Sequence, residues 1–108
     1  MEKFLIKIGR KHLFFDKREI DMVEADSNYI RVFVNDSSYI IRNTLRSVEE
    51  KLDPDIFMRI NRSTIINVDR IRELIENEKN EYEVILKDKK IIKWGRQYRK
   101  NLSRFLRL

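Results

Sequence analysis

Alternation of apolar and polar residues is the dominant pattern along this chain, and it predicts a mainly β protein. The predicted strands, in chain order, are 4–10, with 12–15 continuing or pairing with it, then 20–26, 29–34, 39–42, 57–60, 63–71, 81–87 and 91–94. Polar stretches rich in Asn, Asp and Ser separate the strands, because only two glycines and one proline are available for turns. The segment 71–75 either extends the strand before it or forms a turn.

Two segments have a helical period instead. In the first, three apolar residues recur on one helix face, and these are Leu45, Val48 and Leu52. Either Asn43 or Thr44 provides its N-cap, and the sequence Asp-Pro-Asp ends it. From Arg96 onwards a second stripe predicts a short C-terminal helix with a basic outer face, and its members are Tyr98, Leu102 and Phe105.

The length of 108 residues predicts a single domain, 1–108, with a core at about 4–106. There is no cysteine, which excludes disulfides and thiolate zinc sites, and we expect neither a metal nor a cofactor. The single histidine, His12, is expected at the surface or at a strand end. No stretch is apolar enough for a signal peptide or a membrane span, so the sequence predicts an intracellular, cytoplasmic protein.

Charge is distributed unevenly along the chain, whose net charge is +6. Residues 1–54 hold ten basic and ten acidic side chains, whereas residues 55–108 hold fourteen basic and eight acidic ones. From Lys89 to the end there are eight basic residues and no acidic one. This asymmetry indicates a cationic face suited to an anionic polymer, although a solvated basic tail has the same composition.

Candidate chemistry is confined to three polar clusters between the strands. They are Asp26, Ser27, Asn28 and Tyr29 with Arg31; Arg59, Asn61, Arg62 and Ser63; and the segment 93–100, KWGRQYRK. The chain has no Gly-rich phosphate loop, no metal-ligand cluster and no nucleophile with a base partner, so we predict that it is not an enzyme.

The side chains in these clusters are donors suited to nucleic acid. Arginine pairs with guanine through two hydrogen bonds or contacts phosphate, and asparagine recognises adenine. Gly95 would permit a close backbone approach. The alternative is that each cluster is an ordinary turn with solvated charges, in which Arg59 is structural and pairs with Glu24 or Asp69.

The segment 57–71, FMRINRSTIINVDRI, resembles the central signature of the LytTR-type DNA-binding domain of bacterial transcription regulators. The flanks MVEADSNYIRVF, YIIRNTLRSVEEKL and IIKWGRQYRKNL resemble further family segments in the same order, so the resemblance spans about residues 4–106. This chain differs from the usual pattern at three positions. Asn61 replaces a frequent histidine, Thr64 an aromatic residue and Gly95 a serine.

The resemblance implies an elongated fold of about ten short strands in small antiparallel sheets, with one or two short helices. It also implies that loops enter successive major grooves of bent double-stranded DNA. Carried over by position, the base-contact candidates are Asn28, Tyr29, Arg62 and Arg96. The backbone-contact candidates are Arg31, Arg59, Asn61, Ser63, Lys93, Arg99 and Lys100.

The family further implies a response regulator of a two-component system, with an upstream receiver domain or other signalling partner and pairing of the domains on tandem DNA half-sites. The chain is then either an excised output domain or a stand-alone regulator. Two other binding functions stay open at this point. One is an RNA-binding module, although no strand shows paired aromatic stacking positions. The other is a basic protein-interaction domain.

Overall fold

A computed structural model describes residues 3–104 and contains ten short strands. They are β1 Lys3–Ile8, β2 Lys11–Asp16, β3 Ile20–Asp26, β4 Tyr29–Val34, β5 Ser37–Arg42, β6 Phe57–Asn61, β7 Thr64–Asn67, β8 Ile71–Glu76, β9 Tyr82–Leu86 and β10 Ile91–Trp94. The helices are α1 Leu45–Glu49 and α2 Arg99–Leu102, and 3-10 turns occupy Lys17–Glu19, Val68–Arg70 and Arg96–Tyr98. The molecule measures 49 × 29 × 24 Å, so the predicted elongated, mainly β fold is confirmed.

The strands form three antiparallel sheets. The central sheet has five strands in the order β5-β4-β3-β7-β6, β1 pairs with β2, and the third sheet has the order β10-β9-β8. Side chains alternate between the two faces of a strand, so neighbouring residues such as Met22 and Val23 enter different cores. Both of these residues are buried, which shows that the central sheet is covered on each face.

One core lies between the central sheet and the elements of the N-terminal half. Val23, Val32 and Ile65 of the central sheet belong to this core together with Phe4 and Ile6 of β1 and three residues from the α1 region, Leu45, Val48 and Leu52. The three residues of the predicted stripe are therefore buried together, but the helix is shorter than predicted, since it ends at Glu49, before Leu52 and the sequence Asp-Pro-Asp. Thr44 is its N-cap, because the Thr44 hydroxyl oxygen accepts a hydrogen bond of 3.0 Å from the backbone N–H of Ser47.

The second core lies between the other face of the central sheet and the C-terminal half. Met22, Met58 and Ile66 of the central sheet belong to it, with Val84, Leu86, Trp94 and Leu102 from the third sheet and α2. Leu102 is buried and Tyr98 is half-buried, as the predicted C-terminal stripe requires. Phe105, the third member of the predicted stripe, lies outside the described residues, and so does residue 106 of the predicted core.

The predicted strand 63–71 is wrong in its second half. β7 ends at Asn67, a 3-10 turn follows, and β8 begins a different sheet, so 71–75 neither extends the strand nor forms a turn. The buried Asn67 side chain explains the break. Its Nδ2 donates to the carbonyls of Arg18 and Ile20, at 3.0 Å each, and its Oδ1 accepts from the backbone N–H of Asp69 at 2.9 Å. These bonds cap the turn and redirect the chain.

The first predicted strand ends two residues early, at Ile8. Gly9 follows with a φ of 60°, in the left-handed region that glycine adopts without strain, and the turn lets β2 pair back on β1. Of the two alternatives for 12–15, pairing is therefore the correct one. No helix within residues 3–104 is long and apolar enough to cross a membrane.

Candidate nucleic-acid interface

The first two polar clusters lie side by side at one end of the central sheet. β3 and β7 are antiparallel neighbours, so the turn after β3 and the turn before β7 meet at the same end. The backbone N–H of Ala25 donates to the carbonyl of Ser63 over 2.8 Å and joins the two turns directly. Ser27, in the first turn, has a φ of 58° and so lets β4 fold back tightly on β3.

The third cluster is joined to the second by two further hydrogen bonds. The side-chain Nδ2 of Asn61 donates to the carbonyl of Lys93 over 2.9 Å, and the backbone N–H of Gly95 donates to the carbonyl of Ile60 over 2.7 Å. A Cβ placed on Gly95 would lie 3.4 Å from both Cα and Cβ of Asn61, so the two segments are in contact here with room for a small side chain. The three clusters therefore form one continuous surface.

The four base-contact candidates are exposed on this surface. They are Asn28, Tyr29, Arg62 and Arg96, and Tyr29 is 47 % exposed. Within the described part of the chain, no hydrogen bond or ion pair holds the side chain of Asn28, Arg62 or Arg96. Each of these side chains is thus available to an external partner. Their direct role in recognition stays a prediction.

The backbone-contact candidates differ in their surroundings. Ser63, Lys93 and Lys100 are exposed, whereas Arg31 and Arg99 are half-buried. Arg31 Nη1 donates to the Ser38 hydroxyl at 3.4 Å. The guanidinium of Arg99 donates to the carbonyl of Asn80 and lies 5.8 Å from the centre of the Tyr82 ring. Arg99 is therefore held by a backbone carbonyl and an aromatic ring of the protein itself.

Arg59 and Asn61 use their polar atoms within the protein. Arg59 Nη1 lies 3.4 Å from Glu49 Oε1, and its guanidinium also donates to the carbonyls of Asn61 and Arg62. Asn61 Oδ1 accepts from the backbone N–H of Ser63 at 2.9 Å. If Arg59 is structural, the sequence predicts Glu24 or Asp69 as its carboxylate partner. That predicted partner is wrong, because the carboxylate beside Arg59 belongs to Glu49 on α1.

Among residues 3–104, one carboxylate forms an ion pair with the third cluster. Glu81 Oε2 lies 3.3 Å from Lys93 Nζ, and Glu81 Oε1 accepts a hydrogen bond of 3.3 Å from the Asn77 side chain. The hydrogen bond from Asn77, followed by the interaction with Lys93 and a smaller contribution from the positive charge of Arg96, lowers the pKa of Glu81 below its usual value. The shift extends the ionised range of Glu81 to more acidic pH, and at neutral pH its negative charge opposes the cationic potential of this surface.

Arg42 belongs to the same surface and was missed by the sequence reasoning. It is exposed at the end of β5, directly opposite Tyr29 in the register of β4 and β5. Tyr29, Arg31 and Arg42 therefore lie on one face of the sheet. The turn between β4 and β5 contained this information. If Asn35 and Asp36 are the two residues of the turn, Val34 pairs with Ser37, and counting back along both strands pairs Tyr29 with Arg42.

The opposite end of the central sheet has a different character. A shallow cleft of about 390 Å³ lies there and is lined by Asp21, Asn35, Asp36, Arg70, Leu86, Lys87 and Asp88. Burial raises the pKa of Asp21, although Arg70 Nε lies 2.9 Å from its carboxylate. With three carboxylates and two cations, this cleft does not attract an anion, so anion binding is favoured at the end that holds the three clusters.

One family model and several known proteins are similar to this chain. Residues 10–107 match the model of the LytTr DNA-binding domain family. The sensory transduction protein LytT of Bacillus subtilis (strain 168) is 28% identical over 106 residues, which cover 98% of this chain and 44% of that protein. The LytT protein of Enterococcus faecalis is 30% identical over 90 residues, which cover 83% of this chain and 37% of that protein.

A solved structure has the same fold. It is a LytTr DNA-binding domain from Bacillus cereus, which superimposes with a TM-score of 0.85 over 100% of this chain and 99% of that domain, at 17% sequence identity. The agreement extends over the whole architecture. This chain spans less than half the length of the LytT proteins that it matches.

Proposed function

The chain belongs to the LytTr DNA-binding domain family, and from this premise we propose that it binds double-stranded DNA sequence-specifically as the DNA-binding part of a bacterial transcription regulator. The observation that carries the proposal is the assembly of three donor-rich loops on one surface. The bonds from Ala25 to Ser63 and from Asn61 to Lys93 hold the loops together.

In this proposal, exposed side chains on three separate loops contact base edges. Arg62 and Arg96 each donate two hydrogen bonds to a guanine, and Asn28 recognises an adenine. Tyr29, at the base of the first loop, has an exposed ring that can pack against a thymine methyl group or a sugar. A major groove about 12 Å wide accommodates a β-turn, so separate turns enter successive grooves of a bent duplex.

The cations around these loops contact phosphates and supply most of the affinity. Lys93, Lys100 and Arg42 are exposed, and within the described residues the one ion pair they form is that of Lys93 with Glu81. Arg31, Ser63 and Arg99 add hydrogen bonds to the DNA backbone from the edges of the surface. Phosphate contacts fix the register of the protein on the duplex but do not distinguish sequences.

The regulator to which this domain contributes also needs an input. We propose that a receiver domain or another signalling partner supplies it, and that two DNA-binding domains pair on tandem half-sites. The support for a further domain is the length of the relatives, of which this chain covers less than half. The domain accounts for 44% of the LytT protein of Bacillus subtilis, so the matched relatives carry a further region of comparable size.

The proposal is tested by competition. A labelled duplex that the domain enriches from a random pool is bound at moderate salt and then displaced by that duplex, by a scrambled duplex or by RNA of the same length. We expect the enriched duplex to compete best by at least about a thousandfold over the scrambled one. Equal competition by RNA would indicate an RNA-binding module, and weak binding without any sequence dependence would indicate a protein-interaction domain.

A further inference from the structure

We propose that Arg59 is a positioning residue, which fixes the turn that presents Arg62 to the DNA and does not itself contact the DNA. This inference rests on the proposed function, because it assigns a role within the same surface. It separates two neighbouring arginines by function. One arginine supports the recognition turn from inside the protein and the other extends from the turn into solvent.

The first support is the pair of acceptors that Arg59 serves. Arg59 Nε donates to the carbonyl of Asn61 over 3.3 Å, and Nη2 donates to the carbonyl of Arg62. The pairing of β6 with β7 shifts its register between Arg59 and Asn61, so the regular ladder is interrupted at this point. The planar guanidinium donates to both carbonyls at this irregular point.

The second support is that the guanidinium is held from other directions. Glu49 Oε1 lies 3.4 Å from Nη1, and the ring of Tyr98 lies 5.8 Å below the guanidinium carbon. The side chain of Arg59 is only 20% exposed. The backbone carbonyl of Arg59 also accepts a hydrogen bond of 2.8 Å from Asn101 Nδ2, so the residue is anchored to α1, to the C-terminal segment and to its own turn.

The third support is that the polar groups of Asn61 and Ser63 in the turn also have hydrogen-bond partners within the protein. Asn61 Oδ1 accepts from the N–H and the hydroxyl of Ser63, and the Ser63 carbonyl accepts from Ala25. The carbonyls of residues 61, 62 and 63 are therefore all satisfied within the protein. The side chain of Arg62 stays exposed, and the turn that carries it is ordered before DNA arrives. Such preorganisation reduces the entropy lost on binding.

The two roles predict different salt dependence. An arginine that contacts phosphate releases about one counterion, so its loss reduces the log–log salt slope by roughly 0.9 and weakens binding to every duplex alike. A positioning arginine leaves the slope unchanged and affects only the duplex whose bases Arg62 contacts. Lysine distinguishes them as well, because it keeps the charge but cannot donate to two carbonyls from one planar group.

The test compares Arg59→Lys, Arg59→Gln and Tyr98→Leu with the wild type. Affinity is measured over a salt series for a duplex enriched by the wild type and for a scrambled duplex. We expect the two Arg59 variants to behave alike, losing about 5- to 10-fold of the preference for the enriched duplex with no change in slope. Tyr98→Leu, which keeps every charge, should show a smaller loss in the same direction. Wild-type behaviour of Arg59→Lys with a reduced slope for Arg59→Gln would overturn the inference.

Amide hydrogen exchange provides a second readout without DNA. Loss of Arg59 should accelerate exchange at the N–H groups of Ser63 and Ala25, while the N–H groups of the β8–β9 pair keep their protection, which shows that the variant is folded. Unchanged exchange at Ser63 and Ala25 would contradict the inference. If the wild type enriches no sequence, the proposed function fails, and the exchange data and the slope on the scrambled duplex still decide the role of Arg59.

Discussion

The side-chain amide of Asn61 donates a hydrogen bond of 2.9 Å to the backbone carbonyl of Lys93, 32 positions further along the chain. This bond joins the turn between β6 and β7 to the segment that leads into the C-terminal helix. Two donor-rich loops that are distant in sequence are therefore joined directly. An interface built from loops needs such ties, because an untethered loop has to be ordered at a cost in affinity when it binds.

Removal of either exposed arginine of this surface should reduce specific binding. We expect Arg62→Ala and Arg96→Ala each to cost about 1–3 kcal/mol on the enriched duplex, and to relax the preference at one base pair, because one bidentate contact is lost. The check is a binding titration on duplexes mutated one position at a time. Unchanged affinity and unchanged preference in both variants would contradict the assignment of these two residues.

Part of the fold was predictable because several of its strands alternate buried residues with more exposed ones. In β4, for example, Ile30, Val32 and Val34 are buried while the alternate residues are not, and that period appears in the sequence. The break after Asn67 was not predictable. It depends on carbonyls of Arg18 and Ile20, which are distant in sequence. The local sign, Asn67 followed two residues later by Asp69, is also compatible with a strand that continues.

Arg42 should act as a phosphate contact. We expect Arg42→Gln to weaken the enriched and scrambled duplexes by the same factor and to reduce the log–log salt slope by roughly 0.9, because one counterion fewer is released. The matched control is Lys87→Gln, which also removes one positive charge. Lys87 lines the cleft beyond the other end of β4, and since β4 is about 20 Å long, this charge is far from Arg42. Equal slopes for Arg42→Gln and the control would remove Arg42 from the interface.

The candidate surface shows the same division between local and distant information. The three clusters could be selected from the sequence because exposed arginines and asparagines interrupt apolar strands there. Their assembly into one surface depends on the β3–β7 pairing and on the bond between Asn61 and Lys93. The partners of Arg59 could not be identified for a similar reason, since Glu49 is brought close by the packing of α1.

Neutralising Glu81 should strengthen DNA binding. The carboxylate, which is ionised at neutral pH, pairs with Lys93 at 3.3 Å, and its pKa is lowered by the hydrogen bond from Asn77 and by Lys93. Glu81→Gln frees the lysine and removes a negative charge near Arg96, so we expect affinity to rise about 2- to 5-fold for every duplex, in line with the modest energy of an exposed ion pair. The gain should shrink at high salt. The control is Glu73→Gln on β8, and an equal gain there would show that only net charge matters.

The two glycines should respond to serine in opposite ways. Gly95 has a φ of −71°, and a Cβ there would meet its neighbours at 3.4 Å, an ordinary contact distance. We therefore expect Gly95→Ser to raise the free energy of unfolding by about 0.5 kcal/mol, through reduced freedom of the unfolded chain and a new N-cap hydroxyl.

Gly9 provides the contrast, because its φ is +60° although its surroundings are open. Gly9→Ser should lower the free energy of unfolding by about 1 kcal/mol through backbone strain alone. Urea unfolding of both variants measures the two values. A loss of stability in Gly95→Ser as large as that in Gly9→Ser would mean that the approach of Gly95 to Asn61 tolerates no side chain.

The most direct test of the central claim is selection of bound duplexes from a random pool by the domain, followed by a salt titration on the enriched sequence. The proposed function predicts a motif of short half-sites about one or two helical turns apart, and a log–log salt slope near roughly −5 if about six phosphates are contacted. A steep slope without any enriched motif would contradict the claim that the three loops recognise bases, and would reduce the surface to a non-specific cationic face.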